Sequence, residues 1–310
     1  MIAGFIGLGR MGEGMARNLL KSGVKLVAFD TSQTALDRIV EAGAQRVTSV
    51  ADLTRKSNVI FTSLPGPAQV EDVVLGAGGV LENSSPETVL FDLSTNALEL
   101  VRRIHQAFKR KDCTMLDAPV SGGPGGAASG NLVLWIGGEK GAFDQYLPLL
   151  KAFSSEQIHV GPIGAGTATK LAHNLLGYMI LLAQAEAFSM GVNAGIDPLD
   201  LWQAMRFGVV GKGSPLDMLV SQFLPGKYDT PAFALKLAHK DVTLATSLGK
   251  ELGVPMRLAS MTLEEMTEAL GRGFAEWDSR SFLQLQLQRA GVKIAVEPER
   301  LRDAVKRVQK

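Results

Sequence analysis

The stretch "GFIGLGRMGEGMARNLL", Gly4 to Leu20, stands almost at the start of a 310-residue chain and governs how the rest is read. It opens as an apolar strand and closes with the spacing of an amphipathic helix. Between the two, five glycines fall from Gly4 to Gly14. Glycine weakens helix and strand alike, by roughly 0.5–1 kcal/mol relative to alanine, so its crowding at a strand-to-helix junction needs a reason. The order Gly7-Leu8-Gly9-Arg10-Met11-Gly12 supplies one. Gly7 makes a tight turn, Gly9 clears room for an anion against the backbone, and Gly12 lets helix and strand pack closely. The helix N-terminus then presents N–H groups and the positive end of its dipole to a phosphate.

The next strand-like run, "VKLVAF", ends at Asp30, eighteen residues after Gly12. An acid at about that distance hydrogen-bonds a ribose 2′-hydroxyl of a bound dinucleotide. It also repels a 2′-phosphate, and neither Thr31 nor Ser32 offers a compensating cation. The pattern predicts NAD rather than NADP. On these residues alone a plain glycine turn, with Asp30 capping the following helix, stays open.

Up to about Gly161, short β-rich runs alternate with helical patterns. The strand candidates are "IAGFIG", "KLVAF", "NVIFTSL", "TVLFDL", "TMLDAPV", "LVLWIGG" and "QIHVG". Between them lie Met11–Lys21, Ala35–Ala42 and Ala97–Lys109. Alternation of this kind predicts an α/β domain: a Rossmann-type, doubly wound, mostly parallel sheet covered on both faces. After "GPIGAG" helical spacing takes over, with one long helix from Thr167 to Val192 and a restart after "IDP". The expected domains are 1–162, binding NAD, and 163–310, an all-α substrate and oligomerisation domain. The charged tail "EPERLRDAVKRVQK" reads as a loosely held terminal helix.

Composition narrows the function further. Lys+Arg 32 against Asp+Glu 31 leaves a formal charge of +1, too little field to hold a nucleic acid or an anionic membrane. The single cysteine, Cys113, forms no intrachain disulfide, which fits a reducing compartment. The start of the chain lacks a basic n-region. The longest apolar run, "LLGYMILLA", has nine residues against the roughly 20 needed to span a bilayer, and reads as a buried helix. The expectation is a cytoplasmic protein with neither nucleic-acid nor membrane partner. Four histidines and no H-E-x-x-H or C-x-x-C spacing give no metal motif.

Two further segments carry chemistry. "DAPVSGGPGGAASGNL", Asp117 to Leu132, contains Ser121-Gly122-Gly123. Exposed N–H groups in such a turn make a nest for a small carboxylate; a flexible interstrand loop is the competing reading. Downstream, "GAGTATKLAHNLLGY" sets Lys170 and Asn174 four residues apart, on one helical face. A lysine desolvated in a cleft can pass a proton, and an amide can orient an oxygen. His173, on the same turn, competes as acid or base.

Taken together, "GFIGLGRMGEGMARNL", "SLPGP", "DLST", "DAPVSGGPGGAASGNL", "GAGTATKLAHN" and "KLAHKDVTLA" resemble, in order and spacing, the β-hydroxyacid dehydrogenase family, over nearly the whole chain. The resemblance implies that Lys170 is catalytic and Asn174 a substrate ligand. It implies that Ser121, Gly122 and Gly123 hold the substrate carboxylate, and that Leu64, Pro65 and Thr95 line the nicotinamide side of the cofactor pocket. Lys240, which would otherwise read as a solvated partner of Asp241, would close over cofactor and substrate. The chain departs from the family's pattern at His173, at Pro124 and Gly126, and in the loop Gly208–Asp217.

The reaction so implied is hydride transfer between NAD and a small anionic 3-hydroxy acid such as hydroxyisobutyrate or glycerate. Lys170 would take the hydroxyl proton during oxidation and return it during reduction, in a homodimer or homotetramer with helical domains in contact. A non-catalytic dinucleotide-binding scaffold and an NADP-preferring semialdehyde reductase are the alternatives.

Overall fold

The computed structural model describes residues 1–291 and 293–308, with side chains at all of these but 244, 307 and 308. The polypeptide divides into two compact units, Met1–Leu176 and Gly177–Lys310.

The first unit carries every strand of a nine-stranded sheet: β1 (Ile2–Ile6), β2 (Lys25–Phe29), β3 (Gln45–Arg46), β4 (Val59–Thr62), β5 (Val89–Asp92), β6 (Thr114–Asp117), β7 (Val120–Ser121), β8 (Leu132–Gly137) and β9 (Ser154–Gly161). Its helices are α1 (Gly12–Lys21), α2 (Gln33–Glu41), α3 (Val50–Lys56), α4 (Pro67–Leu75), α5 (Val80–Asn83), α6 (Leu98–Lys109), α7 (Gly123–Ser129) and α8 (Lys140–Leu150). The long α9 (Ala165–Asn193) begins in this unit.

Strand order is β3-β2-β1-β4-β5-β6-β8-β7, with β9 on the other side of β8. From β3 to β6 all pairings are parallel. The chain then reverses, because β8 runs antiparallel to both β6 and β7 and parallel to β9. The order switches direction between β1 and β4, and in such sheets ligands bind in the crevice outside the carboxyl ends of the strands at that switch.

Parallel strands covered on both faces need apolar side chains at successive positions. Runs such as "IAGFI" and "VIFT" provide them, and β4 and β5 are buried along their whole lengths. Register puts Phe5, Phe61 and Phe91 side by side on β1, β4 and β5. Their rings stack at 6.1 and 5.6 Å, with Phe153 edge-on to Phe61 at 5.8 Å. Such pairs add roughly 0.5–1.5 kcal/mol each beyond their burial. The ladder sits one residue before the carboxyl ends of β1, β4 and β5.

The second glycine run is not a flexible loop. Gly123–Ser129 is helix α7, entered through Gly122 at φ 127° and Gly123 at φ 63°. It packs on α1: a Cβ at Gly14 would lie 2.7 Å from the Ala127 carbonyl carbon, and Asn18 Nδ2 donates to Ala127 O at 2.8 Å. Close helix contact, rather than flexibility, accounts for the small residues there.

The second unit is helical: the remainder of α9, then α10 (Pro198–Phe207), α11 (Val209–Lys212), α12 (Leu235–Glu251), α13 (Arg257–Gly271), α14 (Leu283–Arg289) and α15 (Pro298–Val308). Its largest buried cluster is small, built on Leu235, Met266, Ala269 and Leu285. Glu186 of α9 accepts backbone N–H groups of Leu258 and Ala259 at 2.8 to 3.2 Å, capping the first turn of α13 from outside.

The expectation of a buried apolar helix is corrected here. α9 extends to 29 residues, long and apolar enough by those measures to cross a membrane, and only 11% of its most apolar window is buried. Leu175, Tyr178, Leu181 and Leu182 are exposed, as are Phe207 and Val209 further on. "LLGYMILLA" is helix, and most of its side chains are exposed among the described residues.

Candidate active site

Gly7 leaves β1 at φ 94°, its N–H held by the Phe29 carbonyl at 3.1 Å. A Cβ at Gly7 would strike the Ser63 carbonyl, and one at Gly12 would strike the Gly7 carbonyl. At Gly9 a Cβ would meet nothing within 4 Å. Gly7 and Gly12 are therefore small because of the protein itself, whereas Gly9 is small for something the protein does not supply. That combination fits a pyrophosphate laid against the loop.

Asp30 follows β2 directly. Its carboxylate accepts the N–H of Leu8 and of Ser32, each at 2.6 Å, which fixes the group while leaving lone pairs for a ribose hydroxyl. Gly7, Gly9, Arg10, Met11, Gly12, Asp30, Leu64 and Pro65 line one cavity of about 520 Å³. Leu8 lies under the loop, fully buried, and contributes through its backbone. Thr95 is exposed on the neighbouring loop after β5 and does not line that cavity.

A network unannounced by the sequence positions these two loops. Asp92, at the end of β5, is 1% exposed. It accepts from Thr62 Oγ1 at 3.0 Å, Ser94 N at 3.1 Å and Asn96 Nδ2 at 2.9 Å. Burial pushes its carboxyl above the usual range, opposed by the hydrogen bonds from Asn96 and Ser94. Ser94 Oγ in turn accepts Leu64 N–H at 3.0 Å. One buried acid thus holds the loop of Leu64 to the loop of Thr95.

Asp117, at the end of β6, does the same for α9. It is 1% exposed and accepts the N–H of Gly164 at 2.7 Å and of Thr167 at 2.6 Å. Both donors belong to the helix start, where backbone N–H groups otherwise lack partners and a negative charge is favoured. Lys170 sits one turn further. Its ammonium lies 6.0 Å from the Trp135 ring centroid, and desolvation holds its pKa below the usual lysine value. Asn174 is half-buried one turn beyond, and its Oδ1 is 3.3 Å from His173 Nδ1. His173 itself is exposed, with its ring 4.9 Å from that of Trp135.

Ser121 pairs with Val133 across the β7–β8 ladder, and Trp135 is two residues further along β8. Paired residues and their i+2 neighbours share one face, so Ser121 lies on the face of the tryptophan that Lys170 approaches. Gly122 and Gly123 follow it with exposed backbone. Lys240 stands on α12 in the second unit, paired with Asp241 at 3.0 Å and exposed to solvent. Among the described residues, no group of three or more His, Cys, Asp or Glu side chains could hold a metal ion.

Comparison with known proteins places this geometry in context. Residues 2–161 match the family model for the NAD-binding domain of 6-phosphogluconate dehydrogenase. Residues 164–286 match that described as NAD-binding of NADP-dependent 3-hydroxyisobutyrate dehydrogenase. The chain is 33% identical to the 2-(hydroxymethyl)glutarate dehydrogenase of Eubacterium barkeri, over 94% of this chain and 97% of the relative. It is 35% identical to the NAD-dependent L-serine dehydrogenase of Pseudomonas aeruginosa, over 88% and 94%. Among solved structures, a Mycobacterium tuberculosis 3-hydroxyisobutyrate dehydrogenase described with L-serine aligns with a TM-score of 0.65 and 26% identity, over 92% of this chain and 98% of that one.

Proposed function

The chain belongs to the β-hydroxyacid dehydrogenase family, NAD-dependent oxidoreductases of 3-hydroxy acids, and from that premise we propose how its own residues divide the work. The substrate is a small anionic 3-hydroxy acid, such as 3-hydroxyisobutyrate, glycerate or a related short acid. Ser121, Gly122 and Gly123 hold its carboxylate through the serine hydroxyl and the turned backbone N–H groups. Asn174 orients the hydroxyl oxygen, and Lys170 exchanges its proton.

Bound NAD supplies the acceptor for the hydride that leaves the hydroxyl-bearing carbon. In oxidation the neutral amine of Lys170 takes the hydroxyl proton as the carbonyl forms. In reduction its ammonium returns the proton to the new alkoxide oxygen. Asp30 holds the adenosine ribose and disfavours a 2′-phosphate; Leu64 and Pro65 border the nicotinamide, with Thr95 outside that cavity on the neighbouring loop.

The observation that carries this reading is the state of Lys170. It is a part-buried amine with a lowered pKa, fixed by a helix start that Asp117 caps. Desolvating a lysine costs free energy, and groups perturbed in this way cluster at functional sites. Steady-state formation of NADH over a panel of short 3-hydroxy acids, run alongside Lys170→Ala, tests it. Turnover of one panel member that disappears in the variant supports the assignment, and equal turnover in the variant overturns it.

The same proposal includes a second copy of this chain as partner. Apolar side chains stand exposed along α9 and α10, the kind of surface that marks an association site. Among the described residues the helical unit's core cluster has four buried members, so that unit gains by burying the exposed surface against its equivalent.

A further inference from the structure

A cavity of about 590 Å³ on the outer side of the phosphate loop is lined by Arg10, Glu13, Arg17, Asp30, Ser32 and Arg38. Three arginines thus line the same cavity as the acid that sets the ribose end of the cofactor site. Guanidinium forks are the usual means of gripping a phosphate, so the lining holds both a group that repels a 2′-phosphate and groups able to bind one.

What the arginines do instead is specific. Glu13 Oε2 accepts from Arg38 Nε at 2.9 Å and forms an ion pair with its Nη2 at 2.8 Å. Glu13 Oε1 accepts from Arg17 Nε and Nη2, each at 3.0 Å. Arg17 Nη2 also donates to the Arg38 carbonyl at 3.0 Å, tying α1 to α2. Both oxygens of one carboxylate are thereby spent on two forks. The hydrogen bond from Arg38 is the main reason the Glu13 carboxyl sits below its usual range. Arg38 also feels the Asp30 charge through space, yet it makes its contacts with Glu13.

From this arrangement the geometry points to Glu13 as a positioning residue for cofactor choice: it holds Arg38 away from the ribose 2′ position and so keeps a latent 2′-phosphate site disarmed. Asp30 excludes NADP by repulsion, and Glu13 excludes it by occupying the cation that would otherwise compensate. The two effects are separable because Glu13 lies on α1 and Asp30 at the end of β2. The inference rests on the reading of Asp30 as the ribose acceptor.

The test is equilibrium binding of NAD and of NADP, measured by calorimetry on the full chain. It uses the wild type, Glu13→Gln, Arg38→Ala, the Glu13→Gln/Arg38→Ala double variant and Asp30→Ala. Glu13→Gln keeps the side-chain shape, and NAD binding in the same sample reports an intact loop. The expected result is a rise of roughly tenfold in the affinity for NADP relative to NAD in Glu13→Gln, about one charge-assisted hydrogen bond at a part-exposed site. The double variant should cancel the rise. A gain that persists in the double variant would mean that any lost negative charge suffices, and would overturn the role given to Arg38. Loss of NAD binding together with NADP binding in Glu13→Gln would make Glu13 a support of the loop and overturn the proposal. An unchanged ratio in Glu13→Gln beside a shifted one in Asp30→Ala overturns this inference alone; unchanged ratios in both overturn the ribose reading as well.

Discussion

Asp117 and Thr167 are joined by a 2.6 Å hydrogen bond, carboxylate to backbone N–H, one helical turn ahead of Lys170. Fifty residues of chain separate them, so the start of the lysine helix is fixed to the sheet as well as to its own flanking turn, where Ala165 N–H donates to the Pro162 carbonyl at 2.9 Å. Asp117→Ala would leave two buried N–H groups without acceptors, a loss of about 2–4 kcal/mol by the usual cost of caps and of unpaired buried donors. Denaturant titration should show that loss with NAD binding largely retained, and kcat should fall as Lys170 loses its fixed position. An unchanged midpoint would show that the cap does not support the helix.

Lys170→Ala is expected to lower kcat by roughly 10²–10⁴, the range for removal of a general acid or base. The direction of the pKa shift fixes the pH profile. Desolvation favours the neutral amine, so the base form appears below the ordinary value of 10.5. Oxidation should therefore accelerate as pH rises through the lowered pKa and level off before 10.5, while reduction, which needs the ammonium, declines over the same range. Folding shows a matching trend. The unfolded chain binds more protons at this site between the two pKa values, so stability rises with pH across that window. An oxidation rate with no ionisation in that range would remove Lys170 from the proton path.

The two kinds of glycine in the first loop predict opposite phenotypes. A methyl at Gly9 meets only open space, so Gly9→Ala should fold with a normal Tm and bind NAD poorly. At Gly12 the methyl collides with the Gly7 carbonyl, so Gly12→Ala should lose stability before anything else, by about 1–3 kcal/mol as overpacked sites do. Thermal melts with and without NAD separate them. A Gly9→Ala protein that binds NAD normally would mean the loop does not contact the cofactor.

Asp30→Ala removes the acceptor for two N–H groups as well as the group read as the ribose partner. A hydrogen bond to a charged group is worth about 1.5–3 kcal/mol, so the NAD KM should rise by roughly one to two orders of magnitude. The NADP KM should change far less. A wild-type preference for NADP would contradict the repulsion argument outright.

The bare surface of α9 gives a prediction about mass. Sedimentation equilibrium should return a dimer or a tetramer, and placing a charge in the apolar run, as in Leu181→Asp, should shift it toward monomer or toward precipitation. A wild-type monomer at micromolar concentration would require another cover for Leu175, Tyr178 and Leu181.

Much of this was readable from sequence for one physical reason. Buried parallel strands need unbroken apolar runs, and "NVIFTSL" or "TVLFDL" can hardly be anything else. The residues at their carboxyl ends, Gly7, Asp30 and Leu64, consequently fell into one cavity. What escaped depends on partners distant in the chain. The run "GGPGGAASG" has the wrong propensity for a helix by about 1 kcal/mol per glycine, and it becomes α7 because α1 offers a flat seat at Gly14. Nothing in the sequence sets Asp92 and Asp117 apart, because only the folded chain brings the loops they hold within reach. Glu13 is not singled out either, since Arg38 lies 25 positions away.

The seam between α1 and α7 has a consequence for the order of events at the site. The phosphate loop opens into α1, the Ser121-Gly122-Gly123 turn opens into α7, and Asn18 stitches the two helices together through the carbonyls of Ala127 and Ala128. Neither turn can loosen without slackening the other. Linkage then demands reciprocity: whatever factor the nucleotide lends to the grip on the acid, the acid must lend back to the grip on the nucleotide.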